Sequence, residues 1–136
     1  MFNVITNARR IIHVFVMALM MGAAASAMAF EKTSFTMEEF NQLKAEGKPI
    51  LVDVYATWCP TCKKQQTVIE NYFKNNPDSE LNVLHVNFDT QKKIVSMFKA
   101  PRQSTLILFK GEERIWFSVA ETRANVIEEN IAKALN

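Results

Sequence analysis

Apolar and polar residues alternate along the chain with a period that changes from one segment to the next. Residues 36–46 repeat their apolar positions at helical spacing, and Thr36 with Glu39 forms a capping box at the start of that segment. Residues 50–56, ILVDVYA, form a nearly continuous apolar run that only Asp53 interrupts, a pattern typical of a buried strand. The folded region is therefore predicted to begin with a helix followed by a buried strand.

The remaining periodicities predict a helix, a strand of alternating polarity, a short helix, a β-hairpin and a final helix. In chain order, these segments are residues 63–77, 81–89, 90–100, 104–120 and 121–136. The hairpin is predicted to turn at Gly111. The final helix places these apolar residues on one face: Val126, Ile127, Ile131, Ala134 and Leu135. Strands joined through helices favour parallel pairing and a hairpin adds antiparallel pairing, so the order predicts an α/β fold with helices on both faces of a mixed sheet.

The start of the chain has the composition of a secretory signal peptide. Two arginines give it a basic beginning, an almost uninterrupted apolar run follows, and small residues precede the bond between Ala29 and Phe30. We therefore predict a cleaved signal peptide over residues 1–29, a mature domain over residues 30–136, and a periplasmic or otherwise exported location. An uncleaved membrane anchor is the alternative, because residues 11–29 are just long enough to span a bilayer.

Charge and glycine content argue against two classes of ligand. The chain has 16 basic and 14 acidic residues, and two of the basic residues lie in the predicted signal peptide, so the domain itself is near neutral. Since no basic patch is interleaved with aromatic residues, nucleic-acid binding is not expected. The chain has only three glycines, and none of them forms a glycine-rich phosphate loop.

The segment ATWCPTCKK, residues 56–64, contains both cysteines of the chain, Cys59 and Cys62. Such a pair can be a structural disulfide, half of a metal site or a redox couple. A disulfide across so short a loop removes little chain entropy, which argues against the structural one. The predicted strand–helix boundary puts Cys59 at a helix N-terminus, with Pro60 in the first turn, where the helix dipole favours thiolate over thiol. We therefore expect Cys59 to be an exposed nucleophile and Cys62, one turn further, to be a more buried resolving thiol.

The stretch ILVDVYATWCPTCKK resembles the active-site strand and turn of the thioredoxin superfamily, and the resemblance extends over nearly all of residues 34–136. It implies a thioredoxin fold, with a central mixed sheet of four to five strands and helices on both faces. It also implies an enzyme, a protein thiol–disulfide oxidoreductase that works as a monomer on protein substrates. The redox group would be the Cys59–Cys62 disulfide itself, with no separate cofactor.

The resemblance also assigns roles to neighbours of the cysteines. It implies that Trp58 shapes the surface that meets a partner, that Pro60 and Thr61 contact substrates and tune the potential, and that Asp53 exchanges the proton of the resolving thiol. His85 stands where thioredoxins often have a lysine, and an imidazole titrates near neutral pH. We therefore hypothesise that Asp53 and His85 form a coupled catalytic pair that makes activity depend on pH; the alternative is a structural histidine.

The segment APRQSTLILF departs from the family pattern. Relatives have a cis-proline before this strand, facing the cysteines, whereas this chain has Ser104 after Gln103. Because a cis bond before a non-proline residue costs about 2.5–4 kcal/mol, we expect a trans Gln103–Ser104 bond and a remodelled loop, with a cis bond at Pro101 as the alternative. In the family this loop docks substrates, so Gln103 and Ser104 are candidate substrate-binding residues.

Two functions follow from the cysteine pair. The first is disulfide exchange with exported proteins. We expect the protein to reduce its substrates, because oxidants of this superfamily have a histidine between the cysteines and this chain does not. A reductant in an oxidising compartment must be recharged, which implies a membrane redox partner. The alternative is binding or delivery of Cu(I) or zinc through Cys59 and Cys62. Zinc prefers four ligands, however, and His85 is the only histidine in residues 30–136.

Overall fold

Strands and helices alternate along the folded part of the chain in nearly the predicted order. The computed structural model describes residues 32–136, so the predicted signal peptide lies outside the described residues. Their elements, in chain order, are β1 (Thr33–Ser34), α1 (Met37–Ala45), β2 (Pro49–Tyr55), α2 (Pro60–Asn75), β3 (Asn82–Asn87), α3 (Lys92–Met97), β4 (Thr105–Lys110), β5 (Glu113–Val119) and α4 (Ala124–Leu135). The sequence did not predict β1, because two residues are too short to show a period.

The five strands form one mixed sheet in the order β1-β3-β2-β4-β5. β3 runs parallel to β1 and β2, whereas β4 pairs antiparallel with β2 and β5 antiparallel with β4. The β2–α2–β3 crossover and the β4–β5 hairpin confirm the predicted parallel and antiparallel parts of the sheet. Gly111 lies in the hairpin turn with a φ of +54°, a conformation that glycine adopts without strain.

A separate apolar cluster covers each face of the sheet. On one face, α1 contributes Phe40 and the C-cap of α3 contributes Phe98, and the two rings meet edge to face at 5.3 Å. On the other face, α2 and α4 contribute Ile69 and Ile127, which pack against Leu51 of β2. Because successive side chains of a strand point to opposite faces, Asp53 lies on the same face as Leu51, under α2 and α4.

The four central residues of β3 are buried, as expected for a sheet that helices cover on both faces. One burial prediction is wrong in detail. In α4, Leu135 is 39% exposed, and Ala134 occupies the buried position after Ile131. A helical period of 3.6 leaves both positions near the apolar stripe, and only the packing decides between them.

The N-terminus of α1 confirms the predicted cap. The Thr36 side-chain oxygen accepts a hydrogen bond from the Glu39 backbone N–H at 3.2 Å.

In the part of the chain that the structure describes, no helix has the length and apolar character needed to cross a bilayer.

Candidate active site

The two cysteines lie where β2 ends and α2 begins. Cys59 is the N-cap residue of α2, and Pro60 is the first residue of the helix, where no backbone N–H is needed. The two cysteines form a disulfide with Cα atoms 5.3 Å apart. The backbone N–H of Cys62 donates a hydrogen bond to the Cys59 Sγ at 3.1 Å. The first turn of α2 thus points an N–H group and the positive end of the helix dipole at one sulfur of the pair.

The exposure of the pair differs from the prediction in one respect. Cys62 is 1% exposed and Cys59 is 4% exposed, so the predicted order holds, but Cys59 is not the exposed nucleophile that was expected. In the disulfide form, Cys59 packs against Ala56 and Cys62, with Phe88 alongside. Only this small exposed fraction of Cys59 is open to an approaching substrate in the disulfide form.

Trp58 and Pro60 are exposed next to the disulfide. Trp58 is 60% exposed, although its indole N–H donates a hydrogen bond to Asp89 Oδ2 at 2.8 Å. Thr61 and Gln103 are half-buried. The hydrogen bond to Asp89 fixes the orientation of a large apolar ring beside the reactive pair, and nothing in the sequence indicated this link.

Ser104 lies against both sulfur atoms. Its hydroxyl oxygen is 3.1 Å from the Cys59 Sγ and 3.3 Å from the Cys62 Sγ, and the residue is fully buried. No cis peptide bond occurs within residues 32–136, so the Gln103–Ser104 bond is trans as expected and Pro101 does not supply a cis bond. The loop is remodelled instead through a positive φ of 64° at Ser104. The side chain therefore contacts the disulfide and does not line the exposed surface.

Gln65 is a part of the site that sequence reasoning missed. It is fully buried in α2, one turn after Cys62, and its side-chain amide donates hydrogen bonds to the backbone oxygens of Ser104 (3.1 Å) and Glu121 (2.9 Å). The available signal was a polar residue on the buried stripe of α2, which continues through Ile69 and Tyr72. Gln65 connects the cysteine helix to the loop that faces it.

Glu121 has a second role at the beginning of α4. Its carboxylate accepts hydrogen bonds from the Arg123 guanidinium and from the Arg123 and Thr122 backbone N–H groups, at 2.6–3.0 Å. These contacts, with the Arg123 side chain first, lower the pKa of Glu121 to about 2. The ionised carboxylate thus stabilises the turn whose backbone carbonyl accepts the hydrogen bond from the Gln65 side chain.

Asp53 and His85 are directly opposite each other on β2 and β3. The Asp53 Oδ2 and His85 Nδ1 atoms are 3.0 Å apart, and the two residues are 0% and 5% exposed. The His85 ring also meets Tyr55 edge to face, with centroids 5.8 Å apart. The structure therefore brings the hypothesised pair together in the layer beneath α2.

A pocket of about 440 Å³ lies beside the cysteines. Its lining includes both Cys59 and His85, together with the basic residues Lys32 and Lys63. Lys32 also forms an ion pair with Glu70 at 3.3 Å. Cys59 and His85, which contacts Asp53, therefore line the same pocket.

The alternative of a metal site gains no support from this arrangement. Among residues 32–136, no group of three or more His, Cys, Asp and Glu side chains is placed to hold a metal ion. The polar atom that joins the two sulfurs is the hydroxyl of Ser104, which is a hydrogen-bonding group.

Comparisons with known proteins agree with this geometry. The family model described as Thioredoxin matches residues 31–133. Thioredoxin of Alicyclobacillus acidocaldarius subsp. acidocaldarius is 29% identical over 102 residues, which cover 75% of this chain and 96% of that protein. Thioredoxin of Rickettsia bellii (strain RML369-C) is 34% identical over 87 residues, 64% of this chain and 80% of that protein. Among solved structures, Trxlp from Edwardsiella tarda EIB202 has a TM-score of 0.69 at 37% identity, covering 74% of this chain and 98% of that one.

Proposed function

Since the chain belongs to the thioredoxin family, whose members are protein thiol–disulfide oxidoreductases, we propose that it reduces disulfides of exported proteins through Cys59 and Cys62. The family assignment carries the activity itself, and the redox group is part of the chain. The export of the protein, the direction of the reaction and the roles of single residues are the parts that we propose.

The observation that carries the assignment of roles is the asymmetry of the pair at the start of α2. Cys59 is the N-cap residue, and its Sγ receives the Cys62 N–H at 3.1 Å, whereas Cys62 lies inside the helix and is 1% exposed. An N–H group and the helix dipole stabilise negative charge, so they favour the thiolate on Cys59. Cys59 is therefore the attacking sulfur and Cys62 the resolving one.

The reaction then proceeds in two balanced exchanges. The Cys59 thiolate attacks one sulfur of a substrate disulfide, forms a mixed disulfide and releases the other substrate sulfur as a thiolate. The Cys62 thiol loses its proton and attacks the Cys59 Sγ, which releases the second substrate sulfur. Two electrons have passed to the substrate, and the Cys59–Cys62 disulfide has formed.

The Asp53–His85 contact is proposed as the acceptor of the Cys62 proton. Both residues lie in the layer between the sheet and α2, and Asp53 is two residues nearer the cysteine end of β2 than Leu51, which packs near Ile69. His85 also lines the pocket beside Cys59, which offers the proton a route to solvent. An imidazole can carry a proton in either direction near neutral pH.

The direction and the location rest on the sequence. The signal-peptide composition of residues 1–29 supports export, and the absence of a histidine between the cysteines supports reduction over oxidation. A reductant in an oxidising compartment needs electrons, so we propose a membrane redox partner that recharges the disulfide. Trp58, Pro60, Thr61 and Gln103 surround the pair and are proposed to contact the substrate.

The test combines turnover with trapping. The purified protein should reduce insulin with dithiothreitol as electron donor, and Cys59→Ser should abolish this activity. In a bacterial host that exports the protein, Cys62→Ser should accumulate mixed disulfides on Cys59, in an exported fraction whose protein begins at Phe30. Trapped proteins with structural disulfides in their oxidised form support reduction. No insulin reduction by the intact protein, or trapping that persists in a Cys59→Ser/Cys62→Ser double variant, would contradict the proposal.

A further inference from the structure

One hydroxyl group touches both sulfur atoms of the redox pair. The Ser104 Oγ is 3.1 Å from the Cys59 Sγ and 3.3 Å from the Cys62 Sγ, within the range of a hydrogen bond to sulfur. We propose that Ser104 is a catalytic residue whose hydroxyl donates a hydrogen bond to the thiolate of the reduced pair and thereby raises the reduction potential. This inference rests on the proposed disulfide exchange and specifies how its equilibrium is set.

The backbone around Ser104 holds the hydroxyl in this place. The Ser104 N–H donates to the Val54 carbonyl at 2.8 Å, and the Ser104 carbonyl accepts from the Ala120 N–H at 2.8 Å and from the Gln65 amide at 3.1 Å. Both backbone groups are thus committed to β2, α2 and the end of β5. Only the side chain of Ser104 is left to interact with the disulfide.

The conformation of Ser104 is one that side chains usually avoid. Its φ is +64°, and a left-handed conformation at a residue other than glycine costs on the order of 1 kcal/mol or more. Glycine would adopt it without strain, so a glycine would satisfy the backbone alone. The Cβ and hydroxyl of Ser104 are kept at a cost in stability, which is the pattern expected of a functional side chain.

The hydroxyl acts differently on the two redox states. In the disulfide, the sulfurs are neutral and weak acceptors. On reduction, two electrons enter the S–S bond, the bond breaks, Cys59 keeps a negative charge and Cys62 takes one proton from solvent or from the Asp53–His85 pair. The bond from the Ser104 O–H to Cys59 then becomes charge-assisted, and such bonds are roughly twice as strong as neutral ones. Ser104 therefore stabilises the reduced form more than the oxidised form.

Two variants remove the hydroxyl but differ in their effect on the backbone. Ser104→Ala keeps the Cβ and the strained φ, whereas Ser104→Gly also relieves the strain. Both should lower the equilibrium constant for reduction by about tenfold, which is ~30 mV toward a more negative potential for a two-electron couple. Both should also shift the ultraviolet thiolate titration of Cys59 to higher pH. Ser96→Ala, an exposed serine on α3, is the matched control and should leave both quantities unchanged.

The measurement is the oxidised fraction of each protein in dithiothreitol buffers of defined ratio, read by mass after alkylation. A shift in reduction potential common to Ser104→Ala and Ser104→Gly supports the proposal. Urea unfolding should show that the two variants differ in stability, so a shared shift in potential cannot come from the backbone strain. The proposal would be overturned if the equilibrium constant for reduction of both variants lay within twofold of the wild-type value. The assay contains no protein substrate, so a protein that fails to reduce insulin would refute the proposed function and still give a result for Ser104.

Discussion

Gln65 connects two backbone segments in the interior, and its removal should destabilise the whole domain. In Gln65→Ala, the Glu121 carbonyl loses the hydrogen bond at 2.9 Å, and the Ser104 carbonyl loses one of its two donors. A buried polar group that loses its partner costs about 1–3 kcal/mol, and the Ser104 carbonyl loses less because Ala120 still donates to it. With the small cavity left by a fully buried side chain, we expect a loss of roughly 2–4 kcal/mol.

The assay is urea unfolding of the oxidised protein, followed by tryptophan fluorescence and by circular dichroism. In a thermal melt of a domain of this size, each 1 kcal/mol corresponds to about 4–8 °C in the melting temperature, so Gln65→Ala should melt at least ~8 °C below the wild type. Gln65→Met keeps most of the volume without the donors and separates the hydrogen bonds from the cavity. The loss in the free energy of unfolding of Gln65→Met should be about half of the loss in Gln65→Ala.

The adjacent Gln66 provides the control. It is half-buried, and its side chain accepts a hydrogen bond from Lys32 at 3.3 Å in an exposed contact. Gln66→Ala should change the free energy of unfolding by less than about 0.5 kcal/mol. If Gln65→Met were as stable as the wild type, the two amide hydrogen bonds would contribute nothing measurable and the reasoning would be refuted.

Two further predictions concern ionisable groups. His85→Gln keeps a polar side chain but cannot accept and pass on a proton, so insulin reduction should slow while the fold is retained; a rate equal to that of the wild type would exclude His85 from proton transfer. The second concerns Glu121, whose pKa in the folded protein is lowered by Arg123 from its ordinary value of 4.5 to about 2. A lowered pKa in the folded state means that the contact stabilises the protein fully above pH 4.5 and that this stabilisation is lost as the pH falls toward 2. Arg123→Ala should therefore be less stable than the wild type at pH 7 by a small, salt-sensitive amount, and the difference should vanish near pH 2; a difference that is independent of pH would contradict this assignment.

The order of elements was predictable because each one has a local signal. The apolar run of β2, the Thr36 cap of α1 and the hairpin turn at Gly111 depend on neighbouring residues only. The same holds for Cys59 as N-cap, since Pro60 marks the first helical turn. These features survive folding unchanged because periodicity, capping and turn geometry are properties of short segments.

The contacts within the site were less predictable because they join distant segments. The sequence indicated that Ser104 replaces a proline, but it placed the residue in a substrate-binding loop. Its position against both sulfurs depends on the pairing of β2 with β4 and on the positive φ of the loop. The burial of Cys59 likewise depends on Phe88, which the fold brings to the same end of the sheet.

Taken by itself, the sequence determined the thioredoxin fold, the redox pair Cys59–Cys62 and the asymmetry between its two sulfurs, since a helix N-terminus creates that asymmetry locally. The tertiary structure alone decided that Gln65 ties the cysteine helix to the facing loop and that the Ser104 hydroxyl reaches both sulfurs. Segments 39 to 45 residues apart meet in these contacts, and no local pattern can encode a distance between groups that only strand register and loop conformation bring together.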